Sequence, residues 1–115
     1  MKKVALFVFN GDPMCFIHVL LNALDMKEKG YEAKIILEGE SVKLIPELYK
    51  SENPLNKLWE KALDLNLVEG VCKACSNKLG TINDAKEHNL TLLEGMSGHP
   101  AISEYRKNDF EVITF

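Results

Sequence analysis

Hydrophobic residues along the chain form short continuous runs separated by longer amphipathic segments. Continuous apolar runs of this length are typical of strands that are buried on both faces of a sheet. They occupy residues 4–9, 33–37, 67–72, 90–93 and 110–115. The pattern therefore predicts five strands, with a non-strand segment between each successive pair.

The segments between the runs carry the spacing and the end signals of helices. In the longest one, Asp12 suits an N-cap and Pro13 a first helical position, and Gly30 follows apolar residues at helical spacing. Asn53 and Pro54 predict a second start of the same kind. Shorter helices are expected after Ser41, over 73–79 and 81–89, and from 100 to 107.

Strands that alternate with helices predict one α/β domain over residues 1–115. We expect a five-stranded, mostly parallel sheet with helices on both faces, which makes a three-layer domain. Since crossover connections are right-handed, all strands should point the same way. The segments 10–15, 38–41, 72–76 and 94–99 should then share one edge, and in open α/β sheets this is the edge where ligands bind.

Composition narrows the classes of partner. The chain has 115 residues, 46% of them hydrophobic, and a net charge of −3 with acids and bases interspersed. This balance gives no indication of a nucleic-acid groove or an anionic membrane surface. The first apolar run is too short for a signal peptide, and no run approaches the roughly 20 residues of a membrane span. We expect a cytoplasmic protein with no nucleic-acid or membrane partner.

The most informative motif is a C-x-x-C pair, Cys72 and Cys75, where a strand ends and a short helix begins. Unpaired N–H groups and the helix dipole at such a position can lower the pKa of a thiol. Close cysteines in a cytoplasmic chain indicate redox, sulfur or metal chemistry rather than a disulfide framework. We predict both cysteines as catalytic, although two small buried core residues would also fit the pattern.

Three other residues on the same edge are candidates for substrate contact: Asp12, Cys15 and His99. Asp12 also suits a simple helix cap, and Cys15 also suits core packing. His99, before a helix-starting proline, could handle a proton or cap its helix.

No cofactor and no metal are expected. The glycine-containing turns 38–41 and 94–98 match neither a dinucleotide nor a P-loop fingerprint, and both contain acidic residues. An alternative remains open, a zinc site built from Cys15, His18, Cys72 and Cys75. The spacing of Cys15 and His18 is weak evidence for it.

The segment 71–80, VCKACSNKLG, resembles the DsrE/DsrF-like family. A short first strand, a long first helix, the turn 38–43 and a final apolar strand are similar to that family too. The resemblance implies a small doubly wound, flavodoxin-like domain that assembles into dimers, trimers or hexamers. Sulfur-relay members of the family pass persulfide sulfur between proteins. The matching positions imply that Cys72 is the relay cysteine and Cys75 the second cysteine of a C-x-x-C subgroup.

The sequence hypothesis is therefore a sulfur carrier, similar to a sulfurtransferase, with sulfur-donor and sulfur-acceptor proteins as partners. In this hypothesis Cys75 could attack a persulfide on Cys72 and release sulfide. Two alternatives stay open: a thiol–disulfide redox protein that uses the same pair, and a non-enzymatic binding module that forms a homo-oligomer.

Overall fold

The computed structural model describes residues 1–115 and contains one five-stranded sheet. The strands are β1 (Lys3–Val8), β2 (Glu32–Leu37), β3 (Val68–Cys72), β4 (Leu92–Leu93) and β5 (Glu111–Thr114). Their spatial order is β4-β3-β2-β1-β5, and every neighbouring pair is parallel. The predicted α/β domain with a parallel sheet is confirmed.

Helices fill the connections between the strands. They are α1 (Pro13–Glu28), a 3-10 helix (Gly39–Leu44), α2 (Ile45–Leu48), α3 (Asn56–Asp64), α4 (Lys73–Lys78), α5 (Ile82–Glu87) and α6 (Ile102–Lys107). Helix α1 begins as predicted, because Asp12 accepts a hydrogen bond from the Met14 amide at 2.8 Å. None of these helices combines the length and the apolar character needed to cross a membrane.

Several boundaries differ from the sequence prediction, and two of them have a clear local cause. Helix α3 begins at Asn56 rather than Pro54, because the Asn53 side chain accepts the Leu55 amide and closes a turn before the helix. Helix α6 begins at Ile102, two residues after the expected proline. Strand β4 keeps only two residues, since the Leu90 amide donates to the Ala85 carbonyl at the end of α5.

One face of the sheet carries most of the core. Successive side chains of a strand point to opposite faces, so Val4, Leu6 and Val8 of β1 face the same layer. Phe16 of α1 and Trp59 of α3 are fully buried in this layer, with ring centroids 6.0 Å apart. This face forms a cluster of 20 buried residues.

The opposite face has a much smaller core. Ala5, Phe7 and Ile36 of the sheet pack there with Phe110, a cluster of four buried residues. Tyr105 of α6 covers Phe7 edge-on, with ring centroids 5.4 Å apart. The domain is therefore three-layered with unequal outer layers.

Parallel strands bring several loops to one edge of the sheet, as predicted. Glu38 follows β2, Cys72 ends β3, and the loop with His99 follows β4. Ser41 holds the turn after β2, because its buried hydroxyl donates to the Val8 carbonyl at 2.7 Å. The chain also ends at this edge, where the Phe9 amide donates to the Phe115 oxygen at 2.8 Å.

Candidate functional site

The two cysteines of the C-x-x-C motif lie at the start of α4 but have different surroundings. Cys72 is the N-cap, and its Sγ accepts a hydrogen bond from the Cys75 amide at 3.4 Å. Its side chain lies inside the protein, and the residue is 0% exposed. Cys75 is half-buried, one turn further along the helix. The motif therefore presents one enclosed thiol and one accessible thiol.

His99 is placed between the two thiols. Its Nδ1 lies 3.0 Å from Cys72 Sγ and 3.6 Å from Cys75 Sγ. Paired backbone hydrogen bonds between Met96 and His99 hold the loop, and the preceding Gly98 carbonyl accepts the Ala74 amide at 2.9 Å. The loop is thereby fastened to α4, and one imidazole nitrogen can exchange a proton with either thiol.

Glu38 completes the group. Its Oε1 lies 3.5 Å from His99 Nδ1, and its side chain is only 10% exposed. Burial raises the pKa of this carboxyl, and the neighbouring His99 partly offsets the rise. Sequence reasoning placed Glu38 on the functional edge but did not select it. The available signal was a carboxylate directly after a buried strand.

The prediction of a low-pKa thiolate at Cys72 is wrong for the folded, metal-free protein. The pKa of the Cys72 thiol is raised to about 12, chiefly because the thiol is buried, and the neighbouring Cys75 thiol and Glu38 carboxylate act in the same direction. The hydrogen bond from the Cys75 amide lowers the pKa, but it is a single bond at the start of a six-residue helix. Removal of the thiol from water outweighs that stabilisation of the anion.

Cys75 opens on a cavity of about 460 Å³ at the same edge. Its lining includes His99, Lys78 and the partly exposed ring of Phe9. Lys78 brings a positive charge to this cavity. A reagent that enters this cavity meets Cys75 and the imidazole, while Cys72 lies behind them.

The other sequence candidates remain outside this group. Asp12 is exposed and serves as the N-cap of α1. Cys15 is half-buried in the first turn of α1, and His18 is exposed on the same helix. The donor atoms that converge belong to Glu38, Cys72, Cys75 and His99. Cys15 and His18, the other two members of the alternative zinc site, are not among them.

Comparisons with known proteins identify relatives. No family model matches the chain. The uncharacterised protein MJ0733 of Methanocaldococcus jannaschii is 35% identical over 117 residues, which cover 96% of this chain and 93% of that protein. An uncharacterised protein of Archaeoglobus fulgidus is 43% identical over 59 residues, or 51% of this chain and 95% of that protein.

A solved structure is similar in fold. It is that of a conserved protein of unknown function, BT1422, from Bacteroides thetaiotaomicron, with a TM-score of 0.72 and 21% identity. The match covers 98% of this chain and 95% of that chain. At this identity the likeness concerns the three-layer fold alone. The similarity over almost the whole of both sequences shows that the chain belongs to the same family as the Methanocaldococcus jannaschii protein.

Proposed function

We propose that the protein is a cytoplasmic sulfur carrier of the DsrE/DsrF-like type, which takes sulfane sulfur on Cys75 and uses Cys72 as the second thiol. The observation that carries the proposal is the shared imidazole: His99 Nδ1 lies within 3.6 Å of both sulfur atoms. Sulfur transfer through persulfides needs a thiol that meets its partners and a means of moving the proton. Both requirements are met at the cavity.

The proposal exchanges the roles that the family resemblance implies for the two cysteines. Cys75 faces the cavity, whereas Cys72 is enclosed and its raised pKa keeps it protonated near neutral pH. The thiolate is the nucleophile in sulfur exchange, and access decides which thiol reacts first. Cys75 therefore meets the donor.

Loading is a thiolate attack on a persulfide. The Cys75 thiolate attacks the outer sulfur of a donor persulfide, the sulfur–sulfur bond of the donor breaks, and the donor leaves as a thiolate. Cys75 then carries a persulfide beside Lys78. An acceptor thiolate that attacks the outer sulfur takes it over and returns Cys75 to the thiolate form.

Cys72 provides a discharge route. His99, protonated on Nε2, accepts the Cys72 proton at Nδ1, and the Glu38 carboxylate stabilises the imidazolium that results. The Cys72 thiolate then attacks the inner sulfur of the Cys75 persulfide, expels hydrosulfide and leaves a disulfide. A dithiol reductant restores the two thiols.

The test is the intact mass of zinc-free, reduced protein after incubation with a persulfide donor. We expect wild type and Cys72→Ser to gain about 32 Da per sulfur, and Cys75→Ser to gain none. Cys72→Ser should also hold the sulfur longer, because the discharge route is gone. Cys15→Ser is the matched thiol control and should load like wild type.

Two results would contradict the proposal. Loading that persists in Cys75→Ser and is lost in Cys72→Ser would return the carrier role to Cys72. A loss of about 2 Da in wild type, together with no gain of sulfur in Cys72→Ser, where the discharge route is blocked, would indicate a thiol–disulfide redox protein instead.

The family resemblance also supports assembly into a homo-oligomer, with sulfur-donor and sulfur-acceptor proteins as further partners. Sedimentation velocity tests the assembly, since a dimer, trimer or hexamer sediments well ahead of a 13.0 kDa chain. A single species at the mass of one chain would remove this part of the proposal.

A further inference from the structure

Four side chains with metal-binding atoms converge at the proposed sulfur site. They are Glu38, Cys72, Cys75 and His99, and one donor atom from each lies within 4.8 Å of all the others. They come from the ends of three strands and the segments that follow them, at one edge of the sheet, and Glu38 and Cys72 are buried. A partly buried group of sulfur, nitrogen and oxygen donors from distant parts of the chain is stronger evidence for a metal site than an exposed cluster of acidic residues.

The distances from His99 Nδ1 to the other three donors are close to those around a single ion. Tetrahedral zinc, with bonds of about 2.3 Å to sulfur and 2.0–2.1 Å to nitrogen and oxygen, sets S–N pairs roughly 3.6 Å and N–O pairs roughly 3.4 Å apart. Cys75 Sγ lies 3.6 Å and Glu38 Oε1 lies 3.5 Å from His99 Nδ1. Cys72 Sγ, at 3.0 Å from the same nitrogen, needs a small outward movement.

A buried carboxylate without a permanently charged partner is also suited to direct coordination of a cation. Glu38 is buried, and the group within ion-pair distance of it is the His99 imidazole, which is charged only when protonated. Lys43 pairs with Glu40, Lys73 pairs with Glu94, and Lys78, which lines the cavity beside Cys75, makes no ion pair with Glu38. A dication would neutralise two thiolates, and the carboxylate would complete its coordination.

The chemistry of the donors selects the metal. Two sulfur atoms and an imidazole are soft and borderline ligands that suit zinc, whereas magnesium and calcium require an oxygen cage. We propose that Glu38, Cys72, Cys75 and His99 bind one Zn²⁺ ion in a closed, four-coordinate site. Binding displaces the protons of both thiols into solvent, so the zinc-bound protein carries two thiolates.

The zinc site itself does not depend on the proposed function, but its consequence for sulfur transfer does. Both thiols of the sulfur carrier are ligands of the ion, so a chain that holds zinc cannot accept sulfane sulfur. Zinc and sulfur therefore compete for the same pair.

The experiment is a titration of reduced, metal-free full-length protein with Co²⁺ and then Zn²⁺. We expect one Co²⁺ per chain, with the intense visible bands of tetrahedral cobalt and a sulfur-to-cobalt charge-transfer band in the near ultraviolet. Zn²⁺ should abolish both. Zinc measured by elemental analysis after gel filtration should reach one per chain.

Variants identify the ligands. Cys75→Ser, His99→Gln and Glu38→Gln should each weaken Zn²⁺ binding by at least about tenfold, measured against a chromophoric chelator. Cys15→Ser and His18→Gln are matched controls and should bind like wild type. Circular dichroism establishes that each variant is folded, and Cys75 and His99 are exposed enough for substitution without loss of the core.

The proposal is overturned if metal-free wild type binds Zn²⁺ no tighter than Cys75→Ser does, or if the cobalt spectrum depends on Cys15. Sulfur loading is measured separately, with a chelator present. Sulfur loading without zinc binding would contradict the metal site but not the sulfur carrier. Zinc binding without sulfur loading would contradict the sulfur carrier but not the metal site.

Discussion

The functional edge of the sheet has two halves that contain similar residue types in different roles. Where β2, β3 and β4 end, Glu38, Cys72 and His99 bring their side chains together. Where β1 ends, Asp12 caps α1 and Cys15 belongs to the first turn of that helix. The topology brings both sets to one edge, and local hydrogen bonds decide which side chains remain free for chemistry.

The first half depends on close pairing of β3 with β4. A methyl group on Gly70 would collide with the Thr91 carbonyl oxygen, which accepts the Val71 amide. We expect Gly70→Ala to lower the free energy of unfolding by about 2 kcal/mol or more, measured by urea denaturation. The matched control is Gly80→Ala, where no atom would contact the methyl group and only a positive φ is strained. Equal losses in both variants would contradict this explanation.

The second half is predicted to contribute stability rather than chemistry. Asp12→Ala removes the cap of α1 and should lower the free energy of unfolding by about 1 kcal/mol. Asp12→Asn keeps an acceptor oxygen and should stay close to wild type in the same urea titration. Neither substitution should change the rate at which Cys75 is alkylated. A slower rate in Asp12→Asn would show that Asp12 acts at the site after all.

Glu38, in the first half, should make the stability of the protein depend on pH. Its pKa is raised in the folded protein, so the native state holds its proton more tightly than the unfolded chain does. Stability from this group is present below the usual glutamate pKa of about 4.3 and is lost as the pH rises through the raised value. Metal-free Glu38→Gln should therefore gain stability relative to wild type between acid and neutral pH. Parallel stability curves for the two proteins would contradict the buried position of the carboxylate.

Much of the fold follows from sequence pattern, and the site follows in part. The apolar runs and the caps at Asp12 and Gly30 indicate the strands and the long helix, because each signal is local. The position of Cys72 at the end of a strand is local too, and the sheet edge it predicts is observed.

What the sequence could not indicate depends on contacts between distant segments. The pKa of the Cys72 thiol shifts opposite to the expected direction because the folded chain buries it and brings the charge of Glu38, 34 positions away, close to it. The contact with His99, 27 positions away, depends on the fold in the same way. Which acid, Glu38 or Asp12, lies at the site also depends on contacts between distant segments. Both acids follow a strand, and only the folded chain shows that one faces the thiols while the other binds its own helix.

The most direct test of the account is the rate at which each cysteine of native, metal-free protein reacts with iodoacetamide at neutral pH, resolved by peptide mass. We expect Cys75 to be alkylated at least about tenfold faster than Cys72, since it alone of the pair lines the cavity and Cys72 is buried with a raised pKa. Unfolding in urea should abolish the difference. Alkylation of Cys72 before Cys75 in the folded protein would show that Cys75 is not the thiol that meets the sulfur donor.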